Sequence, residues 1–337
     1  MKVITDKRLE LVPNIIKSVF NLTWDGELFE LNGGGSSSAI YKFKINNIRY
    51  VLRLMGLDAP IKDRLTQIIC AKEAASINLG PQCYYSDAEQ GIVIMEYIES
   101  QTLSKEIVLK EMPSLLSKMH SKTQFPEPFC IIFPYMKDFI TNICNAVPSE
   151  EIIEYLTSIL KLMEFLNEHR ELASCHNDLN TENVLFDGTR IVLIDFEAAG
   201  EEDPYFDLAT VCQQNNFNEK EEYHFLSSYL ERDPTHYQLA KLYLMKQVSY
   251  CFHVVHFLDH AYKAGIKEFN DPVPTFNEWY KGRKEGSYRL DTPRDWMLYA
   301  LAVMNQSFRD MSEPQYLEAK NVMADQLAIK NSRVLWN

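Results

Sequence analysis

The chain predicts an α+β fold in two lobes, a small antiparallel sheet at the N-terminal end and a larger, mainly helical part after it. Three observations predict it. The 337 residues, 46% of them hydrophobic, can bury one large core or two medium ones, and two lobes is the default at this length. Up to Ile98 the chain alternates short apolar runs with turns, whereas most of the chain beyond Ile98 carries apolar residues at helical spacing. Between two of the early strands lies a run of glycines and serines, the composition of a loop that bends closely over an anion. Residues 1–98 are therefore expected to form the N-terminal lobe and residues 99–337 the C-terminal lobe.

In chain order, Leu9, Val12, Ile15, Ile16 and Val19 mark a helix between Asp6 and Asn21 that can cap a sheet. Strands are expected at Leu28–Leu31 and Ala39–Ile45, joined by Asn32, Gly33, Gly34, Gly35, Ser36, Ser37 and Ser38. No helix follows this loop, and neither G-x-x-x-x-G-K-[ST] nor G-x-G-x-x-G is present, so it is not a P-loop or a dinucleotide fingerprint. A glycine-rich hairpin between strands is the arrangement kinases use over nucleotide phosphates. The next strand, Ile48–Leu54, offers Arg53 as a guanidinium for those phosphates, and Glu73 on the following helix is its expected partner. Leu79-Gly80-Pro81 stops that helix. A buried strand then ends at a hinge, where the backbone of Glu96 and Ile98 is expected to meet an adenine edge.

The formal net charge of −13 argues against nucleic acid or an anionic membrane surface as the main partner and suits a cationic ligand. Seven cysteines (Cys70, Cys83, Cys130, Cys144, Cys175, Cys212 and Cys251) are scattered without a C-x-x-C pair, as free thiols in a reducing compartment would be. The N-terminus, MKVITDKRLELV, has charges where a signal peptide's apolar core would lie, and no run approaches membrane-spanning length. The expectation is a cytoplasmic protein without stable membrane insertion.

The chemistry concentrates in Ser174 to Asp207. Asp178 follows His176 by two residues and precedes Asn183 by five, and the apolar run Ile191-Val192-Leu193-Ile194 delivers Asp195. Val184-Leu185-Phe186, a turn at Asp187-Gly188 and the run from Arg190 to Ile194 read as a hairpin that fixes both ends of the site. In phosphoryl transfer one carboxylate receives the proton of the acceptor hydroxyl, while an Asn oxygen and a second carboxylate hold Mg²⁺ against the phosphates of ATP. Asp178, Asn183 and Asp195 are the candidates for those roles, with Asn183 and Asp195 as the metal ligands. A surface hairpin with incidental acids would not require all of these spacings to coincide.

Taken together, the Gly-Gly-Gly-Ser-Ser loop, Tyr50-Val51-Leu52-Arg53, Leu79-Gly80-Pro81, Cys175-His176-Asn177-Asp178-Leu179, Asn183 and Ile194-Asp195-Phe196-Glu197 resemble the choline and ethanolamine kinase family. That family lies within the wider group of aminoglycoside phosphotransferases. The resemblance runs from about Leu28 to His260 and implies a bilobal protein-kinase-like fold and transfer of the γ-phosphate of ATP to a small amino alcohol. It also implies that Asp207, in Asp203-Pro204-x-x-Asp207-Leu208-Ala209, supports the loop rather than touching substrate. His-Asn-Asp is the choline kinase form of the loop, where aminoglycoside enzymes usually have His-Gly-Asp.

The acceptor pocket departs from that pattern. Ala198 stands where choline kinases have Tyr, Gln214 where they have an acid, and Val248 to Phe257 carries Tyr, Phe and His where they have Trp. The expected pocket residues are Asp178, Glu197, Gln214, Tyr250 and His253, around a hydroxylated and cationic small molecule. An aminoglycoside, thiamine or homoserine is the alternative acceptor, and a nucleotide-binding module without catalysis the alternative class. His253, His256 and His260 near one helix face also raise a metal site, without the general base of an H-E-x-x-H motif.

Further expectations concern the large lobe. His120 reads as a packed polar residue, Phe125 to Tyr135 as a surface loop, and Glu201, Glu202 and Asp203 as a solvated turn. Ser149 to about Arg170 is a helix that supports the loop after it, Glu268 to Gly286 is loop-like, and two helices follow, one after Thr292-Pro293 and one from Pro314 to Ile329. The last of these suits packing on the large lobe or on a second copy in a homodimer.

Overall fold

Period-two burial organises the first part of the chain in the computed structural model, which describes residues 6–31, 38–127, 132–146, 149–266 and 268–334. A 3-10 turn, Lys7–Leu11, leads into α1 (Val12–Phe20), and β1 (Phe29–Glu30), β2 (Ala39–Ile45) and β3 (Ile48–Leu54) follow. Then come α2 (Ile61–Ser76), β4 (Cys83–Asp87) and β5 (Ile92–Glu96). The five strands form one antiparallel sheet in the order β1-β2-β3-β5-β4. Asn46 and Asn47 turn β2 into β3 with φ of 48° and 65°, the left-handed pair that a two-residue hairpin needs and that Asn tolerates. Tyr41, Phe43, Ile45, Tyr50, Leu52 and Leu54 project from one face onto Val12, Ile15 and Ile16 of α1. The alternation leaves Lys42 and Arg53 on the other face.

The remainder is mainly helical. It comprises α3 (Lys105–Lys122), α4 (Ile132–Ala146), α5 (Glu150–Asn167), the short strands β6 (Ala173–Cys175), β7 (Val184–Phe186), β8 (Ile191–Leu193) and β9 (Gly200–Glu202), and then α6 (Pro204–Gln214) and α7 (Glu219–Leu230). The chain continues through α8 (His236–Lys263), α9 (Phe276–Glu285), α10 (Pro293–Ser312) and α11 (Pro314–Val334). The 28-residue α8 packs against α4, α5, α6, α10 and α11, and its Leu244, Val248, Val254 and Leu258 are fully buried. Strand β6 pairs with β9 and β7 with β8, both antiparallel, so the loop between β6 and β7 is gripped on either side by a small ribbon. No helix among the described residues is long and apolar enough to cross a membrane.

Three expectations are corrected here. Part of the loop assigned to Phe125–Tyr135 is helix, because α4 begins at Ile132 and Pro134 falls in its first turn, where a missing N–H costs nothing. The loop assigned to Glu268–Gly286 contains α9, whose Thr275 and Glu278 close a capping box and whose Gly286 ends the helix at φ 79°. The turn expected at Glu201–Asp203 is instead strand β9 followed by a helix cap, and of its three acids Glu201 is solvated as expected while Glu202 is 1% and Asp203 2% exposed. Arg170 pairs with Glu202 at 2.7 Å and the fully buried Lys241 with Asp203 at 2.8 Å, which is how these carboxylates tolerate burial.

Candidate active site

The loop from β6 to β7 is drawn into its shape by hydrogen bonds to groups distant in sequence. Asn177 has φ 65°, a left-handed conformation that Asn accepts more readily than most residues. Its N–H donates to Asp207 Oδ1 and the N–H of His176 to Asp207 Oδ2, both at 2.8 Å. The Asn177 amide donates to Ala198 O at 2.9 Å, and His176 Nε2 bonds Ile194 O at 2.9 Å. Asp207 is thus a buried anchor for the backbone that presents Asp178, the place the family resemblance implies for it.

The Asp178 carboxylate is held from two sides. Asn180 Nδ2 donates to Oδ1 at 3.0 Å, and Asn183 Nδ2 donates to Oδ2 at 2.8 Å and to Asp178 O at 2.9 Å. Burial raises the Asp178 pKa, Asp195 adds to that effect, and His176 and the two amides oppose it. Asn183 must point its amide nitrogen at Asp178 to make these bonds, which turns its carbonyl oxygen away from that carboxylate. Asn180 is a site residue that sequence reasoning misses. Its Oδ1 accepts from Glu182 N and Asn183 N, an Asx turn whose Asn-x-x-Asn spacing is the available signal.

Strand β8 delivers Asp195, which has φ 60°. Arg53, on β3, reaches across to it: Nη1 lies 2.9 Å from Asp195 Oδ1, Nη2 3.3 Å from Glu197 Oε2, and Nε donates to Ser38 Oγ at 3.2 Å. The expected pairing with Glu73 is therefore replaced. Glu73 is on α2 and forms no ion pair with Arg53, because the two carboxylates after β8 take both arms of the guanidinium fork. Burial and the neighbouring Asp195 raise the Glu197 pKa, with Arg53 opposing.

The remaining candidates fall into three groups. Ser38 is at the site, whereas Gly33, Gly34, Gly35, Ser36 and Ser37 lie outside the described residues. Glu96 ends β5; its N–H donates to Gln82 O and its carboxylate accepts from Gln82 N, while Ile98 follows in the segment that leads to α3. In the large lobe, Gln214 Nε2 is 3.1 Å from His253 Nε2, and Tyr250 is buried edge-on against Phe276. Among the described residues, none of the hydrogen bonds or ring contacts of Tyr250 or His253 reaches Asp178. His256 and His260 are exposed while His253 is buried, so the three imidazoles do not converge as ligands. The grouping His120, Cys175 and Asp207 is the one that metal-ligand spacing singles out among the described residues.

A buried aspartate whose carboxylate is held by two amides, with a second carboxylate paired to an arginine from the middle strand of a five-stranded antiparallel sheet, is the set of groups that phosphoryl transfer in a kinase-like fold uses. Comparison with known proteins agrees. Residues 29–243 match the model of the phosphotransferase enzyme family, and the chain belongs to that family. Protein LicA of Haemophilus influenzae is 25% identical over 239 residues, spanning 67% of this chain and 70% of that protein. Among solved structures, a choline/ethanolamine kinase family protein from Mesorhizobium loti shares the fold with a TM-score of 0.69 at 19% identity, covering 94% of this chain and 98% of that one. Choline kinase LicA from Streptococcus pneumoniae does so with a TM-score of 0.63 at 20% identity, covering 91% and 99%. The chain is a small-molecule kinase that binds ATP.

Proposed function

We propose that this kinase transfers the γ-phosphate of ATP to the hydroxyl of a small amino alcohol such as choline or ethanolamine, with Asp178 receiving the hydroxyl proton. The observation that carries the reading is the Asp178 carboxylate, fixed by Asn180 and Asn183 and raised in pKa by burial. Fixing the carboxylate leaves the acceptor oxygen one productive approach. Asn183 and Asp195 are the residues that would hold Mg²⁺, since an amide oxygen and a carboxylate are the hard donors such a cation takes. Bound there, the cation would neutralise phosphate charge. Arg53 and the residues Gly33 to Ser38 grip phosphate oxygens, and Glu96 and Ile98 present backbone to the adenine. The division falls after Ile98, with residues 1–98 serving the nucleotide and 99–337 the acceptor.

For the acceptor, two features support a cation. The names of the relatives point to choline and ethanolamine. Tyr135 of α4 lies 4.6 Å from Phe139 and 6.3 Å from Phe252 of α8, ring centroid to centroid, and Phe252 meets Phe206, the residue before Asp207. Such rings can hold a quaternary ammonium by their π-faces, which need no hydrogen from the ligand. Gln214, where choline kinases carry an acid, and a Val248–Phe257 segment without the Trp of their corresponding helix leave this recognition to rings and to Glu197.

The test is ATP consumption by the purified chain with Mg²⁺ against choline, ethanolamine, thiamine, homoserine and an aminoglycoside, with Asp178→Ala in parallel. Turnover with choline or ethanolamine, lost in the variant, is the expected result. Turnover with a different acceptor would redirect the substrate assignment, and full activity of Asp178→Ala would remove the assigned base.

A further inference from the structure

His120 is packed, as its sequence context predicts, and its bonds give it a second task. It sits in the last turn of α3, its side chain only 4% exposed, with Nε2 3.2 Å from Asp207 Oδ2 and Nδ1 2.9 Å from the hydroxyl of Tyr229 on α7. Asp207 is fully buried and has no lysine or arginine partner among the described residues; its carboxylate is satisfied by the N–H groups of His176 and Asn177 and by His120. The end of α3 is also tied to the strand entering the loop, since Ser174 Oγ accepts from Phe125 N and donates to Thr123 O. One helix end therefore clamps the Asp178 loop from behind at both of its supports.

The direction of the bond to Asp207 follows from chemistry. Burial pushes the Tyr229 phenol far up, so a neutral hydroxyl, able to donate or accept, faces Nδ1. An ionised carboxylate only accepts, so the ring nitrogen that faces Asp207, Nε2, supplies the hydrogen of that bond. A metal held by His120, Cys175 and Asp207 fits less well. Burial and the carboxylates of Asp207, Asp203 and Glu202 push the Cys175 thiol well up, and a protonated thiol is a poor ligand.

We propose that His120 is a positioning residue for phosphoryl transfer: through Asp207 it fixes the backbone of His176 and Asn177 and thereby the direction of the Asp178 carboxylate. The inference rests on Asp178 being the base. A misdirected base slows the chemical step without weakening nucleotide binding, so the loss belongs in kcat.

The experiment compares wild type, His120→Phe, His120→Gln and Asp178→Asn in steady-state ATP turnover with the acceptor that supports wild-type activity. Phe keeps the ring and removes the N–H, whereas the amide nitrogen of Gln can stand near the position of Nε2. Expected is a kcat about tenfold or more lower in His120→Phe, KM for ATP within about twofold, and recovery of much of that loss in His120→Gln. Wild-type kcat in His120→Phe overturns the proposal. So does an equal loss in both His120 variants, because that loss would follow packing and not the donor. Should His120→Phe not fold, His120→Asn replaces it, its donor standing nearer the position of Nδ1; Gln outperforming Asn supports the proposal and equality overturns it. Asp178→Asn separates the two levels. An active Asp178→Asn defeats the assignment of the base, whereas an inactive one beside a wild-type-like His120→Phe defeats the role of His120 alone.

Discussion

Replacing His253 by glutamine should flatten the acid limb of this protein's stability. His253 is 8% exposed, its hydrogen-bonding partner is Gln214, and among the described residues no carboxylate pairs with it. Burial, and then the neighbouring His256, push its pKa down to about 3. In the unfolded chain an imidazole titrates near 6.5, so below that pH the unfolded state takes up a proton that the folded state refuses. The folded pKa is depressed, and the stability at stake is therefore fully present above about pH 6.5 and lost progressively as pH falls toward about 3. At 1.36 kcal/mol per unit, the loss from this residue is about 1.4 kcal/mol at pH 5.5 and about 2.7 kcal/mol at pH 4.5. His253→Gln keeps a polar contact for Gln214 and does not titrate. Urea unfolding of both proteins at about pH 7.5, 5.5 and 4.5, followed by tryptophan fluorescence, should show their free-energy difference moving by these amounts in favour of the variant. Parallel pH profiles would refute the reasoning, because they would mean that His253 is hydrated or paired in the folded state.

Three other perturbations test the remaining structure. Arg53→Met removes the cation shared by Asp195, Glu197 and Ser38 and should raise KM for ATP by about tenfold or more, in the same turnover assay, while leaving the melting temperature within a few degrees. Lys241→Met strands the buried carboxylate of Asp203 and should cost about 3–5 kcal/mol in chemical unfolding. Asp187 organises the β7–β8 turn by accepting from Thr189 and Arg190, and although burial opposes them these bonds bring its pKa to about 2. Asp187→Ala should lose about 1–2 kcal/mol near neutral pH, and, since the depressed pKa confers stability above about pH 4, the gap from wild type should narrow as pH falls toward about 2.

The parts of this protein that are legible in its sequence are those whose cause is local. His176, Asp178 and Asn183 share one loop, and the hairpin after them follows from apolar runs around Asp187-Gly188, so their spacing can be read directly. The sheet likewise follows from alternation. The illegible parts depend on contacts between distant residues. Arg53 meets carboxylates 142 and 144 residues away, and nothing near Arg53 in the chain distinguishes them from Glu73. Glu202 and Asp203 look solvated until Arg170 and Lys241 are brought to them. Two helices escape sequence reading for a different reason. Pro134 and Gly282 are breakers by composition, but Pro134 stands in a first turn and Gly282 lies against the Tyr288 ring, where a larger side chain would collide. For α9 the Thr275-x-x-Glu278 capping box is the available signal. For Asn180 it is the Asx spacing, and for His120 no local signal exists.

The left-handed backbone at Asn177 has a consequence for how this loop can diverge. Only residues that accept φ 65° without strain can stand between His176 and Asp178, which narrows the tolerated set mainly to glycine, asparagine and aspartate. These are not equivalent, because the Asn177 amide also donates to Ala198 O, tying the loop to the segment that carries Glu197. A drift to glycine would keep the backbone path and sever that tie; a drift to aspartate would put a charge against a carbonyl oxygen in a buried place. The accessible neighbours in sequence space are thus one viable but looser and one repulsive. A lineage that crosses from His-Asn-Asp to His-Gly-Asp must then find another way to hold the segment after Asp195.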